Sequence, residues 1–392
     1  MKLLKLLFFQ GYSFQSILGL IIASFICTAV SAEAQTACAF VNDNFPNANT
    51  VEGYRVTATN AFHLGPVATG GDGSPTNDPT FFGTPLIAIA PGTTHLYAAN
   101  SATSDIAFFN FDSLTCVPTF VAKFPSGGTS LFGLGITVSP DGKFLYATNA
   151  DRQSTLMVFP VNSDGTLGAS VQTVSLSANP STVAITPNGK LLILTMPGVE
   201  DQVQSYVINP ASGELTFVSS VNTIAAADGV AIDPHSSFIY VGNGGEGGSS
   251  AIQIVKIGPG GQLTYVANVV FNGIDNPVGI RGGSNCLLMS PNGRLLFFTN
   301  QVDASVVSLN VNPQSGNITF NSQEFDGRGV VDEPSQIAGI AARSLLFTGD
   351  FNTHGQPAMG VLHVSAQGVS KLLAALPLAP NAAATSIAVQ SF

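Results

Sequence analysis

The densest grouping of side chains able to do chemistry falls in two segments, NGIDNPVGIRGGSN (272–285) and GRGVVDEPSQ (327–336). Between them they carry Asp275, Arg281, Arg328, Asp332 and Glu333. A guanidinium offers a rigid fork of N–H donors that orients a carboxylate or hydroxyl oxygen. A neighbouring acid can act as a general base or ligate a hard cation, the role read for Glu333 or Asp332. Asp228 is a further acid, ahead of both segments. Asp228, Arg281 and Glu333 form the candidate catalytic set. Asp275, Arg328, Asp332, Asn285, Cys286 and His354 are the candidate ligand contacts.

These side chains need a scaffold, and the scaffold is legible as a repeat. AIAPGTTHLYAAN (88–100), TVSPDGKFLYATN (137–149), AITPNGKLLILTM (184–196), AIDPHSSFIYVGN (231–243) and LMSPNGRLLFFTN (288–300) stack without gaps. A weaker copy, IAGIAARSLLFTG (337–349), lacks the Pro-Gly turn. The period is roughly 50 residues, with one longer interval that the 272–285 segment fills. A half-copy, CAFVNDN (38–44), stands near the N-terminus, and ATSIAVQSF (384–392) supplies its front half at the other end.

Each unit reads as four short strands. STVAIT leads into the turn PNGK, whose Asn-Gly tolerates positive φ, and LLILTM returns. QVQSYVIN and ELTFVSSV then flank the hairpin PASG. β-Branched and aromatic residues fill the strands, and no long helical period occurs beyond the first thirty or so positions. Seven such units, one split between the chain ends, predict an all-β, seven-bladed propeller over 35–392. Sharing a blade between the termini closes the ring and removes its exposed edges.

The LYATN, LYAAN, IYVGN and LFFTN strands after Pro-Asp/Asn-Gly turns resemble the Tyr-Val-Thr-Asn-type repeat of lactonase-type seven-bladed propellers. That group contains 6-phosphogluconolactonase and muconate-lactonising relatives. The resemblance spans nearly the whole chain after residue 34, and its motifs are structural. It implies His, Arg and Glu side chains at the starts of innermost strands, five or six residues before the turn proline, to polarise a lactone carbonyl and activate water. Here those positions read Pro85 and Leu86, Leu134 and Gly135, Ser181 and Thr182, Asp228 and Gly229, Asn285 and Cys286, Pro334 and Ser335. The His and Arg pairs are missing, Cys286 stands where the family commonly has glutamate, and only Asp228 is charged. Cys286 is either a thiol nucleophile without a nearby histidine or a small apolar core residue.

Strand order sorts residues between two faces. The Pro-Asp-Gly turns lie on one, here the turn face. The other, the mouth face, is lined by inter-blade loops and by loops joining second and third strands. His95 and His235 fall in turn-face turns, His63 in a turn-face hairpin, and His363 in a strand, which leaves His354 in a mouth loop. A metal needs several ligands converging within about 2–2.5 Å of one ion, so this distribution argues against a histidine-based site.

The mouth loops are rich in acids, among them Asp43, Asp105, Asp151, Asp201 and Asp303, against Arg152, Arg281 and Arg328. Such a face disfavours a phosphorylated lactone and suits a neutral sugar or lactone, a protein or glycan ligand, or Ca²⁺ held by carboxylates. The plainer reading is that loop acids solubilise a chain with only 9% charged residues. A formal net charge of −10 excludes nucleic acid and anionic membrane as partners. No other cofactor is expected, an electron-transfer propeller is disfavoured by zero tryptophans, and the chain is read as a monomer.

Residues 1–34 combine Lys2 and Lys5, an apolar run from Ile17 to Val30, and Ala32-Glu33-Ala34. This reads as a cleaved signal peptide, the alternative being a retained membrane anchor. The expected location is periplasmic or extracellular. Three cysteines follow, allowing one disulfide and one free thiol. Cys38 with Cys116, joining the N-terminal strand to an outer strand of the next blade, is one such pairing. The Gly/Pro-rich stretch 70–85 is read as a mobile flap or a plain surface loop.

Overall fold

A computed structural model describes residues 37–57, 61–74, 84–129, 133–198, 200–223, 227–243, 250–271, 284–300, 305–325, 334–340, 345–350, 358–365, 368–377 and 386–391. The predicted signal segment and the candidates Asp275, Arg281, Arg328, Asp332, Glu333 and His354 lie outside them. Among the described residues no helix is long and apolar enough to cross a membrane.

The chain forms seven four-stranded antiparallel sheets, the blades of a propeller. Blade 1 orders its strands Ser386–Ser391, Ala37–Asn42, Thr50–Val56 and Ala61–Ala68 from the axis outward. The last strand of the chain thus pairs antiparallel with the first, from Ala37 opposite Ser391 to Asn42 opposite Ser386. Blades 2 to 7 begin with the innermost strands Ile87–Ile89, Gly133–Val138, Val183–Ile185, Ala227–Ile232, Ser284–Met289 and Pro334–Ile340, and each runs outward in chain order. The innermost strands touch one another in sequence around the axis, and the blade 1 strand touches those of blades 7 and 2. The ring is closed.

In blades 2 to 6 the turn between innermost and second strands caps itself. In blade 3 the Ser139 hydroxyl donates to Asp141 at 2.6 Å and accepts the Phe144 N–H at 3.1 Å, with Gly142 at φ 71°. Thr186 with Asn188, and Ser290 with Asn292, repeat the pattern. The repeat's punctuation therefore spends its polar groups on its own backbone.

Packing between blades supplies the core. The described residues contain seven apolar clusters, one at each blade junction. Between blades 3 and 4, for example, Tyr146, Leu156 and Val158 meet Val183, Leu192 and Leu194. Alternate residues of a strand face opposite neighbours, as Cys38 and Phe40 face blade 2 while Ala37, Ala39 and Val41 face blade 7.

Three expectations need correction. The weak repeat copy is in register one residue later: Ala338 pairs with Phe347 where Thr137 pairs with Tyr146. Without its Pro-Gly turn, the local sequence did not mark that extra residue. His63 lies in the outermost strand of blade 1 rather than in its hairpin, stacked on Tyr54 and in contact with the buried Glu52. Cys38 and Cys116 form a disulfide with Cα atoms 5.3 Å apart, but Cys116 occupies the turn between the third and outermost strands of blade 2. Its positive φ of 60° in that turn brings its thiol back to the second strand of blade 1.

Candidate functional site

The mouth face is built around the asparagine that ends the second strand. In blade 2, Asn100 donates to Asp105 at 2.5 Å and accepts from Asn49 at 2.7 Å and Thr69 at 2.6 Å. It ties its own third strand to two loops of blade 1. Asn149 does the same in blade 3, donating to Thr155 at 3.2 Å and to the Ser126 carbonyl, and accepting from the Ser126 hydroxyl at 2.8 Å. Both amides are fully buried. Asn149 stands at the mouth end of its strand, and its side chain is a clamp.

The clamp has a second half that sequence reading missed. Thr69-Gly70-Gly71 and Ser126-Gly127-Gly128 follow the outermost strands of blades 1 and 2. A Cβ at Gly71 would lie 2.5 Å from the Asn100 amide nitrogen, and one at Gly128 would lie 2.3 Å from the Asn149 carboxamide carbon. The repeated hydroxyl-Gly-Gly signal was present, but the long 70–85 stretch hid its spacing. The root of that stretch is anchored, with Ser74 N–H donating to Asn44 at 3.0 Å.

The described mouth-loop acids hold loops as well. Asp43 accepts from the Thr50 hydroxyl at 2.6 Å, the Thr50 N–H at 2.8 Å and the Phe45 N–H at 3.1 Å. Burial pushes its carboxyl above the usual carboxylate value, against the pull of those bonds. Asp151 accepts from the N–H and hydroxyl of Thr129, both at 2.9 Å, and from Gln153 at 2.7 Å. Asp105 pairs with Lys123 at 3.2 Å, and Lys123 also donates to the Gly70 carbonyl at 2.5 Å. Lys123 is a mouth-end cation that the loop-by-loop reading omitted, because it belongs to an outermost strand. Among the described residues no group of three or more His, Cys, Asp or Glu side chains is arranged to hold a metal ion.

At the innermost-strand entrances of blades 2 to 4 stand uncharged groups. Leu86 and Leu134 are buried. The Leu86 N–H donates to Ser386 of blade 1 at 3.0 Å. The Thr148 hydroxyl meets the Gly135 N–H at 3.2 Å, and the Thr195 hydroxyl meets the Thr182 N–H at 2.9 Å. Gly135 is closely packed: a Cβ there would stand 2.6 Å from the Thr148 hydroxyl and 3.1 Å from the Thr84 methyl. The Thr84 and Ser181 hydroxyl oxygens are buried and have no hydrogen-bond partner among the described residues. Cys286 is buried in the innermost strand of blade 6 and is not part of a disulfide. Asp228 and Asn285 are placed in innermost strands by their backbones. The structure thus fixes the strand positions of Asp228, Asn285 and Cys286 and leaves the other candidates outside the described residues.

With this geometry in place, comparison with known proteins is informative. Residues 87–228 match the family model described as lactonase, 7-bladed beta-propeller. That match covers less than half of the chain, and the structure shows a seven-bladed propeller similar to that family. No curated protein matches it. Among solved structures, a putative 6-phosphogluconolactonase from Bacteroides uniformis superposes with a TM-score of 0.70 at 16% identity, covering 91% of this chain and 99% of that one. The periplasmic gluconolactonase PpgL of Pseudomonas aeruginosa superposes with a TM-score of 0.69 at 18% identity, covering 90% and 99%. At these identities the likeness shows the fold. Leu86, Leu134, Ser181 and Thr182 stand where the resemblance led to an expectation of charged side chains.

Proposed function

We propose that this lactonase-like propeller is exported and binds an uncharged polyhydroxylated ligand, a sugar, lactone or glycan, at its channel mouth. One observation carries the reading: in blades 2 to 4 the polar side chains at the inner-strand entrances are hydroxyls, and those of Thr84 and Ser181 are buried without a partner among the described residues. An unmet buried hydroxyl costs about 1–3 kcal/mol, which a ligand hydroxyl or carbonyl would recover. The described acids Asp43, Asp105 and Asp151 serve the loops, so the mouth has a rigid frame on which a ligand can rest. Export rests on the residues 1–34 pattern and agrees with the disulfide, a bond of oxidising compartments.

A second reading, hydrolysis of an unphosphorylated sugar lactone, is favoured by the lactonase family match and by the periplasmic gluconolactonase among the structural relatives. In that reading Arg281 orients the carbonyl oxygen while Asp228 or Glu333 activates water. In the same reading Asp275, Arg328, Asp332, Asn285, Cys286 and His354 would be the ligand contacts, and the acids could hold Ca²⁺.

One screen separates the two. Phosphorylated and unphosphorylated aldonolactones are offered to the purified protein with and without Ca²⁺, and binding and turnover are both read. Binding without turnover, weakened in Ser181→Ala, supports the binding reading. Turnover of neutral lactones that disappears in Glu333→Gln and Asp228→Asn replaces it with the hydrolase. Efficient hydrolysis of a phosphorylated lactone contradicts both.

A further inference from the structure

The turn face carries a cleft that the propeller plan does not require. At four junctions the hairpin between third and outermost strands reaches across to the preceding blade. Its glycine packs on the first residue of that blade's second strand: Gly165 on His95, Gly213 on Phe144, Gly261 on Leu191, and Gly316 on Phe238. A Cβ on any of these glycines would meet that side chain at 2.4–2.8 Å, so each hairpin seals its junction.

Blade 7 breaks the rule. Its hairpin is short, with Ser365 already paired to Gly368, whereas blade 6 closes its own between Val311 and Ile318. Gly368 lies farther out, where a Cβ would meet Ser308 and Asn321 at 2.5 Å. Nothing among the described residues takes the sealing place beside Leu295. Phe297 occupies the tyrosine position of the repeat, so no hydroxyl reaches toward blade 7 either.

The result is a cavity of about 710 Å³ between blades 6 and 7, walled by Leu288, Leu295, Phe297, Leu345, Leu346 and Val364. A volume of ~300–1,000 Å³ with an apolar lining is that of a small-molecule site. Arg294 and Asn310 stand on its rim and also line a second groove alongside it. Among the described residues of the lining, Arg294 is the one that is charged. In blade 3 the corresponding turn pairs Lys143 with Asp141 at 3.1 Å, but blade 6 has Asn292 in place of that aspartate. Arg294 therefore has no described carboxylate within ion-pair distance.

We propose that this cleft binds one molecule of an apolar monocarboxylate, its hydrocarbon part between blades 6 and 7 and its carboxylate on the Arg294 guanidinium. The apolar wall supplies affinity by removing hydrocarbon from water, and the guanidinium fork supplies selection for the acid over an alcohol. This site lies on the face opposite the channel mouth and does not depend on what the mouth binds.

Decanoate and decanol, titrated calorimetrically below their aggregation concentrations, test it. Decanoate is expected to bind at one site per chain. Arg294→Gln should weaken decanoate by about tenfold or more while changing decanol by less than about twofold. Val364→Phe, which fills the cleft from a half-buried position, should weaken both. Circular dichroism and thermal unfolding establish that each variant is folded. Absence of saturable decanoate binding overturns the proposal. So does an Arg294→Gln variant that binds decanoate as wild type does, whatever Val364→Phe shows.

Discussion

The Tyr146 hydroxyl in the second strand of blade 3 donates a 3.0 Å hydrogen bond to the carbonyl of Gly213 in the hairpin of blade 4. Tyr97 reaches Gly165 at 2.7 Å, and Tyr240 reaches Gly316 at 3.0 Å, across their own junctions. Blade 4 has Ile193 at the tyrosine position, and there Ser205, its partner on the third strand, donates to Gly261 at 2.7 Å. A buried carbonyl left without its donor costs about 1–3 kcal/mol. Tyr146→Phe and Ser205→Ala should each lower stability by roughly that amount, read as a shift of the urea midpoint at constant slope. Unchanged midpoints would mean the hairpins are held by apolar packing alone.

Asn149 is a stronger test of the mouth frame. Its amide connects blade 3 to the Ser126 turn of blade 2 with one donated and one accepted bond, and donates a further bond to Thr155 of its own blade. Asn149→Ala strips all three from a fully buried site, an expected loss of about 2–4 kcal/mol if the partners stay dry. Asn149→Asp keeps the acceptor for Ser126, loses the donors and adds a buried charge. It should be at least as damaging. Amide hydrogen exchange should locate the loosening in residues 126–129 and 149–155, and protection unchanged there would refute the clamp.

The disulfide joins residues 78 apart and pins the second strand of the ring-closing blade to its neighbour. Replacing both cysteines with alanine should cost about 2–5 kcal/mol. Mass spectrometry with alkylation should show Cys38 and Cys116 labelled only after reduction. Labelling of both in the unreduced, denatured chain would contradict the bond.

Asp43 gives the stability a pH dependence of definite sign. Burial raises its folded-state value above the ordinary 3.8, so the folded chain holds this proton more tightly than the unfolded chain. Its contribution is fully present below the unfolded value and is lost as pH rises through the folded one. Denaturation midpoints of wild type and Asp43→Asn, measured from pH 3.8 upward, should therefore diverge, with wild type losing ground as pH rises. A pH-independent difference would refute the assignment.

What the sequence determined alone is the scaffold. Two-residue alternation, Pro-Asp-Gly turns and a recurring tyrosine strand are local signals, each specifying strand, turn and strand within a few residues. Their recurrence counted the blades, and the split copies at 38–44 and 384–392 foretold the closure now seen between Ala37–Asn42 and Ser386–Ser391. Tertiary structure decided how the polar residues are used. Asp43 and Asp151 read as mouth-loop acids and Asn149 as the end of a repeat, but their use as clamps on Thr50, Thr129 and Ser126 was set by how the loops fold back. The weak copy slipped by one residue because only cross-strand pairing fixes register where a turn motif is lost. The cleft beside Leu295 was invisible for the same reason: a hairpin's length is local, but the junction it fails to seal belongs to the neighbouring blade.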